Sequence, residues 1–284
     1  MRKTIKTIQH IFASAALLLT ITFVGCNKDE VVKSTEMTDE QKLVVVRQTL
    51  AAAKIFDNTV GMTTTGIAKV GGFKPTEGEI LLTRGVVCTP PVVAPADLFT
   101  YPKTIAYDFG TGCQDADGKT KSGKFTLKVG QLLAIGATIE AIYDNYTEDG
   151  NKLNGKFTIT NNGILGAVNM TFVAENITMT DKDGKTVAYN VRQTIKQVAG
   201  LANLDMMDDV YEVSNTIAGT LPDGTRISWQ NTTPLKKANT CYWIQKGLAL
   251  LKANDIPMVV DFGNDVCDNK ATVTIGIKTY DITL

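Results

Sequence analysis

Hydrophobic residues recur along this 284-residue chain in three rhythms, and each rhythm predicts a different element. From Ile11 to Val24 the apolar positions are continuous over 14 residues without a charge, fewer than the roughly 20 that span a bilayer as a helix. Leu43, Val46, Leu50, Ala53 and Phe56 then recur at spacings of three and four, the period of one helix face. Thr38-Asp39-Glu40-Gln41 ahead of them fits a capping box, with Thr38 as N-cap and Gln41 three residues on. The spacing predicts one amphipathic helix over 38–56, packed on the end of the domain that follows.

From about residue 77 the period becomes two. Phe125, Leu127 and Val129 alternate with polar positions, as do Phe157 and Ile159, then Val168, Met170, Phe172 and Ala174, then Val187, Tyr189 and Val191, then Ile227 and Trp229. Asp117-Gly118, Asp149-Gly150, Asp183-Gly184 and Pro222-Asp223-Gly224 supply turns between them. The expected fold is all-β: a long antiparallel meander or β-sandwich over 57–284, with one short N-terminal helix, divisible into two related halves at 77–165 and 166–284. The apolar phase slips by one residue between Ala174 and Ile177, which a bulge at Glu175-Asn176 would absorb. If Gly276-Ile277 is a two-residue type II′ turn, Val273 stands opposite Tyr280 and Ala271 opposite Ile282.

The N-terminal apolar run follows Arg2, Lys3 and Lys6, the charged start of an export signal over residues 1–25. It ends Phe23-Val24-Gly25-Cys26, which resembles the lipobox of bacterial lipoproteins, although Phe23 stands where Leu is usual. The resemblance implies acylation of Cys26 and a bilayer as partner, since two or three acyl chains anchor a protein stably. Residues 26–37 read as a polar tether. Lys28-Asp29-Glu30 within it resembles the surface-export signal of Bacteroidota lipoproteins, so the expected location is the outer membrane, facing outward.

Four cysteines remain in the exported chain, and an oxidising compartment favours disulfides. Cys88 to Cys113 is a gap of 25 and Cys241 to Cys267 a gap of 26. Each later cysteine follows an Asp-Phe-Gly triplet, Asp108-Phe109-Gly110 and Asp261-Phe262-Gly263. Equal gaps beside an equal motif predict the pairs Cys88–Cys113 and Cys241–Cys267.

Charge and composition narrow the chemistry. The whole chain has 29 basic and 29 acidic residues; losing the signal leaves 26 basic ones and a mature charge of −3, no basis for nucleic-acid binding. The one histidine, His10, leaves with the signal. Without it, no histidine can serve as general base, triad member or zinc ligand, and an enzyme is not expected. Gly118 to Lys124 matches a phosphate loop up to its lysine but continues with Phe125 instead of a hydroxyl residue, and reads as a basic hairpin tip. The Asp-Phe-Gly triplets read as strand ends, Phe inward and Asp capping a turn. Asp115 and Asp117 beside Cys113, with Asp265 and Asp268 around Cys267, are the calcium candidates, though turn capping explains them as well. Asp205, Asp208 and Asp209 flank a Met pair and could act as acid and base on a glycoside, though a solvated loop explains them as well. Among the scarce large aromatics, Trp229 keeps core phase, while Tyr242 and Trp243 are strand neighbours pointing to opposite faces, so they are the ligand-binding candidates.

The run Tyr101 to Cys113, with Asp117 to Thr120 and Ser122 to Lys124, resembles uncharacterised Bacteroidota lipoproteins. So does the ending from Asp261-Phe262-Gly263 through Cys267-Asp268-Asn269-Lys270-Ala271-Thr272-Val273-Thr274 to Leu284. Those proteins usually carry Asn-Gly at the last turn, where this chain has Gly276-Ile277. The resemblance implies an all-β exported domain and no particular activity. The expected function is that of a non-enzymatic lipid-anchored surface lipoprotein, presenting a β-domain to a glycan or surface protein, with no cofactor. The alternatives are an accessory envelope protein with a membrane partner and, third, a carboxylate-dependent glycan hydrolase.

Overall fold

The computed structural model describes residues 37–70, 88–97, 99–115, 118–130, 134–164, 167–201 and 208–284. The export signal, Cys26, Lys28, Asp29, Glu30, Asp117 and Asp205 lie outside them.

The first element, α1, spans Asp39–Val70. Its capping box forms as expected: the Thr38 amide donates to Gln41 Oε1 at 2.8 Å, and the Gln41 amide to Thr38 Oγ1 at 3.3 Å. Asp39 and Glu40 add negative charge to the positive end of the helix dipole. The helix does not end at Phe56. Residues 59–66 read Thr-Val-Gly-Met-Thr-Thr-Thr-Gly, a run of poor helix formers that hides the continuation to Val70. Burial overrides that propensity. Val60, Met62 and Thr63 are buried, and the Thr63 hydroxyl donates back to the Thr59 carbonyl at 2.7 Å. A methyl group on Gly66 would stand 2.9 Å from Leu127 Cδ1, so the small residues let the sheet approach the helix closely. The expectation of a helix docked on the end of the domain is therefore corrected: α1 packs into the common core.

Eight strands pair each with the next, all antiparallel: β1 (Val92–Ala94), β2 (Lys103–Gln114), β3 (Thr120–Val129), β4 (Thr138–Glu148), β5 (Asn151–Asn161), β6 (Asn169–Thr180), β7 (Thr186–Ala199) and β8 (Val210–Thr220). The next place in the sheet is shared by β9 (Arg226–Asn231), which pairs Thr216–Thr220 of β8, and β10 (Leu235–Ala238), which pairs Val210–Val213. They are two stretches of one strand, parted where the Thr232 and Thr233 amides both donate to the Leu248 carbonyl. The sheet ends with β11 (Lys246–Ala253), β12 (Ile256–Asn264), β13 (Lys270–Ile275) and β14 (Lys278–Thr283). Among the described residues all 14 strands belong to one sheet, so the meander is the arrangement present. Met37–Leu284 forms one unit around one core.

A row of bulges bends the first half of the sheet. Gly110 (φ 55°), Gly123 (78°), Asn145 (51°), Gly155 (127°) and Asn176 (53°) occupy register shifts on the five consecutive strands β2–β6. Each bulge raises local twist and bends its strand. Aligned, they crease the sheet so that its apolar face meets the helix. Asn side chains satisfy the exposed amides: Asn145 N–H donates to Asn154 Oδ1 at 2.8 Å, and Asn176 N–H to Asn190 Oδ1 at 3.0 Å. The bulge expected at Glu175-Asn176 is present, and Phe172, Ile177 and Met179 are all buried, on the core side of the sheet. The last hairpin has the expected register, Val273 opposite Tyr280 and Ala271 opposite Ile282, with positive φ at Gly276 alone, as a type II′ turn requires.

The inward face of the sheet meets α1 through aromatic rings. Phe56 packs edge-on against Phe157 and Tyr189, ring centroids 5.7 and 5.9 Å away. Buried tyrosines find polar partners on the helix: Tyr107 donates to the Met62 carbonyl at 3.0 Å, and Tyr143 hydrogen-bonds Thr59.

Candidate ligand-binding cleft

One stripe of α1 escapes the sheet. Glu40, Val44, Arg47, Ala51 and Lys54 follow the helical period and keep solvent exposure, whereas Leu43, Val46, Ala53 and Phe56 are buried. Along it, Arg47, Leu50, Lys54 and Asp57 face Trp229 of β9, Leu235 and Lys237 of β10, the 239–245 loop and Phe262 of β12. Between them lies a cleft of about 300 Å³, at the small end of ligand sites.

Its outer wall is a pinned loop. The disulfide Cys241–Cys267 ties the loop to the end of β12, with Cα atoms 5.7 Å apart. Gln245 fastens the loop's base: its amide donates to the Lys236 carbonyl at 3.0 Å, and its Oε1 accepts from the Ala238 amide at 2.9 Å. Tyr242 and Trp243 therefore stand at fixed positions, ring planes at 89° and centroids 4.7 Å apart. Lys54 Nζ lies 4.7 Å from the Trp243 centroid and 5.5 Å from that of Tyr242, a cation shared by two rings. The expected aromatic pair thus lines the cleft, half-buried, with a lysine against its faces in place of an open platform.

The inner wall holds buried polar atoms without partners. Trp229 is 2% exposed and Asn215 6%, and among the described residues neither Trp229 Nε1 nor Asn215 Oδ1 has a hydrogen-bond partner. Both residues line the cleft. Native proteins leave few such atoms unsatisfied, and a site for a missing hydrogen-bonding group is one of the standing explanations. Trp229 is core, as its phase predicts, and its indole also meets Phe262 edge-on at 6.3 Å.

Ionisable groups set an unusual field there. Desolvation, then repulsion from Lys119, lowers the Lys54 pKa. Desolvation likewise lowers Lys237, partly offset by Asp57. Asp57 is raised by desolvation, against the opposing pull of Lys237 and a hydrogen bond from Gln193. Lys119 shows the opposite balance: desolvation would lower it, but Glu148 at 3.0 Å and the Tyr242 hydroxyl outweigh that and raise it.

The other sequence candidates have structural uses. The Asp-Phe-Gly triplets have both phenylalanines buried, as expected, and Asp108 and Asp261 accept from the Gly110 and Gly263 amides at 3.0 and 2.9 Å; the expectation of strand ends is corrected for the first, which lies at a bulge inside β2. The basic hairpin tip is corrected in part: Lys121 is buried against Asp115 at 3.1 Å, and Lys119 turns toward Glu148. Of the calcium candidates, Asp115 holds Lys121, Asp265 pairs with Lys236 at 2.7 Å, and Asp268 accepts from the Lys270 amide at 3.1 Å. Among the described residues no group of three His, Cys, Asp or Glu is arranged to hold a metal ion. Asp209 is buried, accepting from Tyr211 at 2.8 Å and Gln197 at 2.6 Å, whereas Asp208 is exposed. Neither lines the cleft.

Sequence reasoning missed Lys54, Asp57, Asn215 and Lys237. A signal existed for two of them: Asn215 shares strand phase with Val213 and Ile217, and Lys237 with Leu235, so each polar residue sits where the pattern places core. The cleft stands without precedent to name it: no family model matches the chain, nor does any curated protein or solved structure.

Proposed function

We propose that this chain is a non-enzymatic lipoprotein, anchored in the outer membrane through Cys26, displayed on the cell surface by Lys28-Asp29-Glu30, and holding an external ligand in the cleft beside α1. The observation that carries the binding role is the pair of buried atoms without hydrogen-bond partners among the described residues, Trp229 Nε1 and Asn215 Oδ1, on two residues that line the cleft. The two disulfides suit an oxidising compartment. A free glycan or peptide end and a small molecule are the occupants this volume admits.

Two measurements test the reading. Protease shaving of intact cells should cleave the protein; survival would remove the surface location. A thermal-shift screen of glycans, short peptides and small amphiphiles should raise Tm, because a ligand at a hundred times its Kd adds about 2.7 kcal/mol. A flat response across all three classes would remove the binding role.

A further inference from the structure

The cleft's own groups restrict the chemistry of what fills it. Arg47, Lys54 and Lys237 face it with Asp57 as the one carboxylate among its lining side chains. Arg47 is engaged at the surface by Glu40, 3.6 Å away. Among the described residues no carboxylate lies within ion-pair distance of Lys54 or Lys237, and Lys237 Nζ meets no hydrogen-bond acceptor. A desolvated ammonium whose opposing charge, Asp57, lies beyond ion-pair distance is costly, and an incoming anion would relieve it. Leu50, Ile244, Phe262 and Trp243 meanwhile offer apolar walls that a hydrated inorganic anion would not use.

We propose that the cleft binds a small amphipathic carboxylate, its charged head at Lys237, its apolar body along Leu50, Ile244 and Phe262, and a polar group on the body met by Trp229 Nε1 and Asn215 Oδ1. The proposal rests on the reading of the cleft as a ligand site and adds the sign and shape of the ligand. The direction of the lysine shifts agrees with it: burial disfavours the charge of both Lys54 and Lys237, so each gains from a bound anion.

The chain holds only two tryptophans, so its indole N–H groups give two resolved NMR signals, assigned by Trp243→Phe. The mature chain, carrying Cys26→Ser to keep it in solution, is titrated in parallel with octanoate, octanol and octylamine. Octanoate is expected to shift the Trp229 indole signal saturably, with affinity about tenfold above that of octanol, the worth of one charge-assisted hydrogen bond. Lys237→Met should abolish that preference, bringing octanoate and octanol to the same affinity. Equal binding of octanoate and octanol to the wild-type chain, or a preference for octylamine, would overturn the carboxylate while leaving the cleft a ligand site. No shift of the Trp229 signal with any of the three would overturn the ligand site itself. The wild-type comparison decides the charge even if the Lys237 variant does not fold.

Discussion

The hydroxyl of Tyr280 donates to Asp39 Oδ2 at 2.7 Å, joining the last strand to the first turn of the helix across 241 residues of sequence. Lys278 Nζ reaches the same oxygen at 3.0 Å, and Lys42 the other carboxylate oxygen at 3.2 Å. The hydrogen bond from Tyr280, then those from Lys278 and Lys42, hold the Asp39 carboxyl well below the usual carboxylate range. A depressed folded pKa stabilises above the unfolded value, near 3.9, and that contribution is lost as pH falls through the folded value. Asp39→Asn should therefore lower Tm at neutral pH and differ least from wild type in strong acid. Melts of both proteins from neutral to strongly acidic pH check this; a gap that widens on acidification would contradict it.

The crease in the sheet makes Gly123 irreplaceable. Its φ is 78°, and a Cβ there would fall 2.1 Å from the backbone oxygen of Asn145, which cannot move without breaking the β3–β4 pairing. Gly123→Ala should cost on the order of 3 kcal/mol, strain and overlap together. Gly184, at a similar φ of 80° but with open space around it, should cost only about 1 kcal/mol as alanine. Urea denaturation of the two variants gives the contrast directly.

How much of this was legible depends on whether local chemistry or a distant contact decided each element. The last hairpin, the bulge at Asn176 and both disulfides follow from short-range patterns, a Gly in a turn, a phase slip, a matched spacing, and all appear in the fold. The second half of α1 does not, because Thr59 to Gly66 is helical only through what encloses it. The cleft was half visible. Tyr242 and Trp243 stood out by scarcity, but Lys54 and Asp57 look like ordinary helix-surface charges until the 239–245 loop and β10 are placed against them. The two Asp-Phe-Gly motifs have a like structural use: each lies at a register shift of its strand, with positive φ at its glycine.

A buried ion pair beneath the first hairpin should respond to loss of charge alone. Lys121 and Asp115 side chains are 2% and 0% exposed, 3.1 Å apart, and Asp115 Oδ1 also accepts from the Lys119 amide at 2.9 Å. Asp115→Asn keeps a carbonyl for that amide yet leaves the lysine charge without its neighbour. Removing one member of a buried pair typically costs about 3–5 kcal/mol, far more than the pair contributes over an apolar replacement. The double variant Asp115→Asn, Lys121→Met should therefore recover much of the loss. A double-mutant cycle by chemical denaturation measures the coupling, and simple additivity of the two changes would contradict the pairing.

The two disulfides close loops of nearly the same length, with separations of 25 and 26, so chain entropy assigns each about 3.5 kcal/mol. Their effects on the cleft should nonetheless differ. Cys241 directly precedes Tyr242 and Trp243, and its bond to Cys267 is what fixes the outer wall; Cys88 and Cys113 do not line the cleft. Replacing Cys241 and Cys267 by alanine should lower stability and also free the two rings, losing their perpendicular packing and the Lys54 contact. Trp243 emission would then shift toward that of a solvated indole while the protein is still folded. Replacing Cys88 and Cys113 should lower stability to a similar degree and leave native-state emission unchanged. The comparison is made below each variant's melting transition, with Trp243→Phe to subtract the Trp229 signal. If both double variants gave the same emission change, the 239–245 loop would be held by its hydrogen bonds at Gln245 and not by the disulfide.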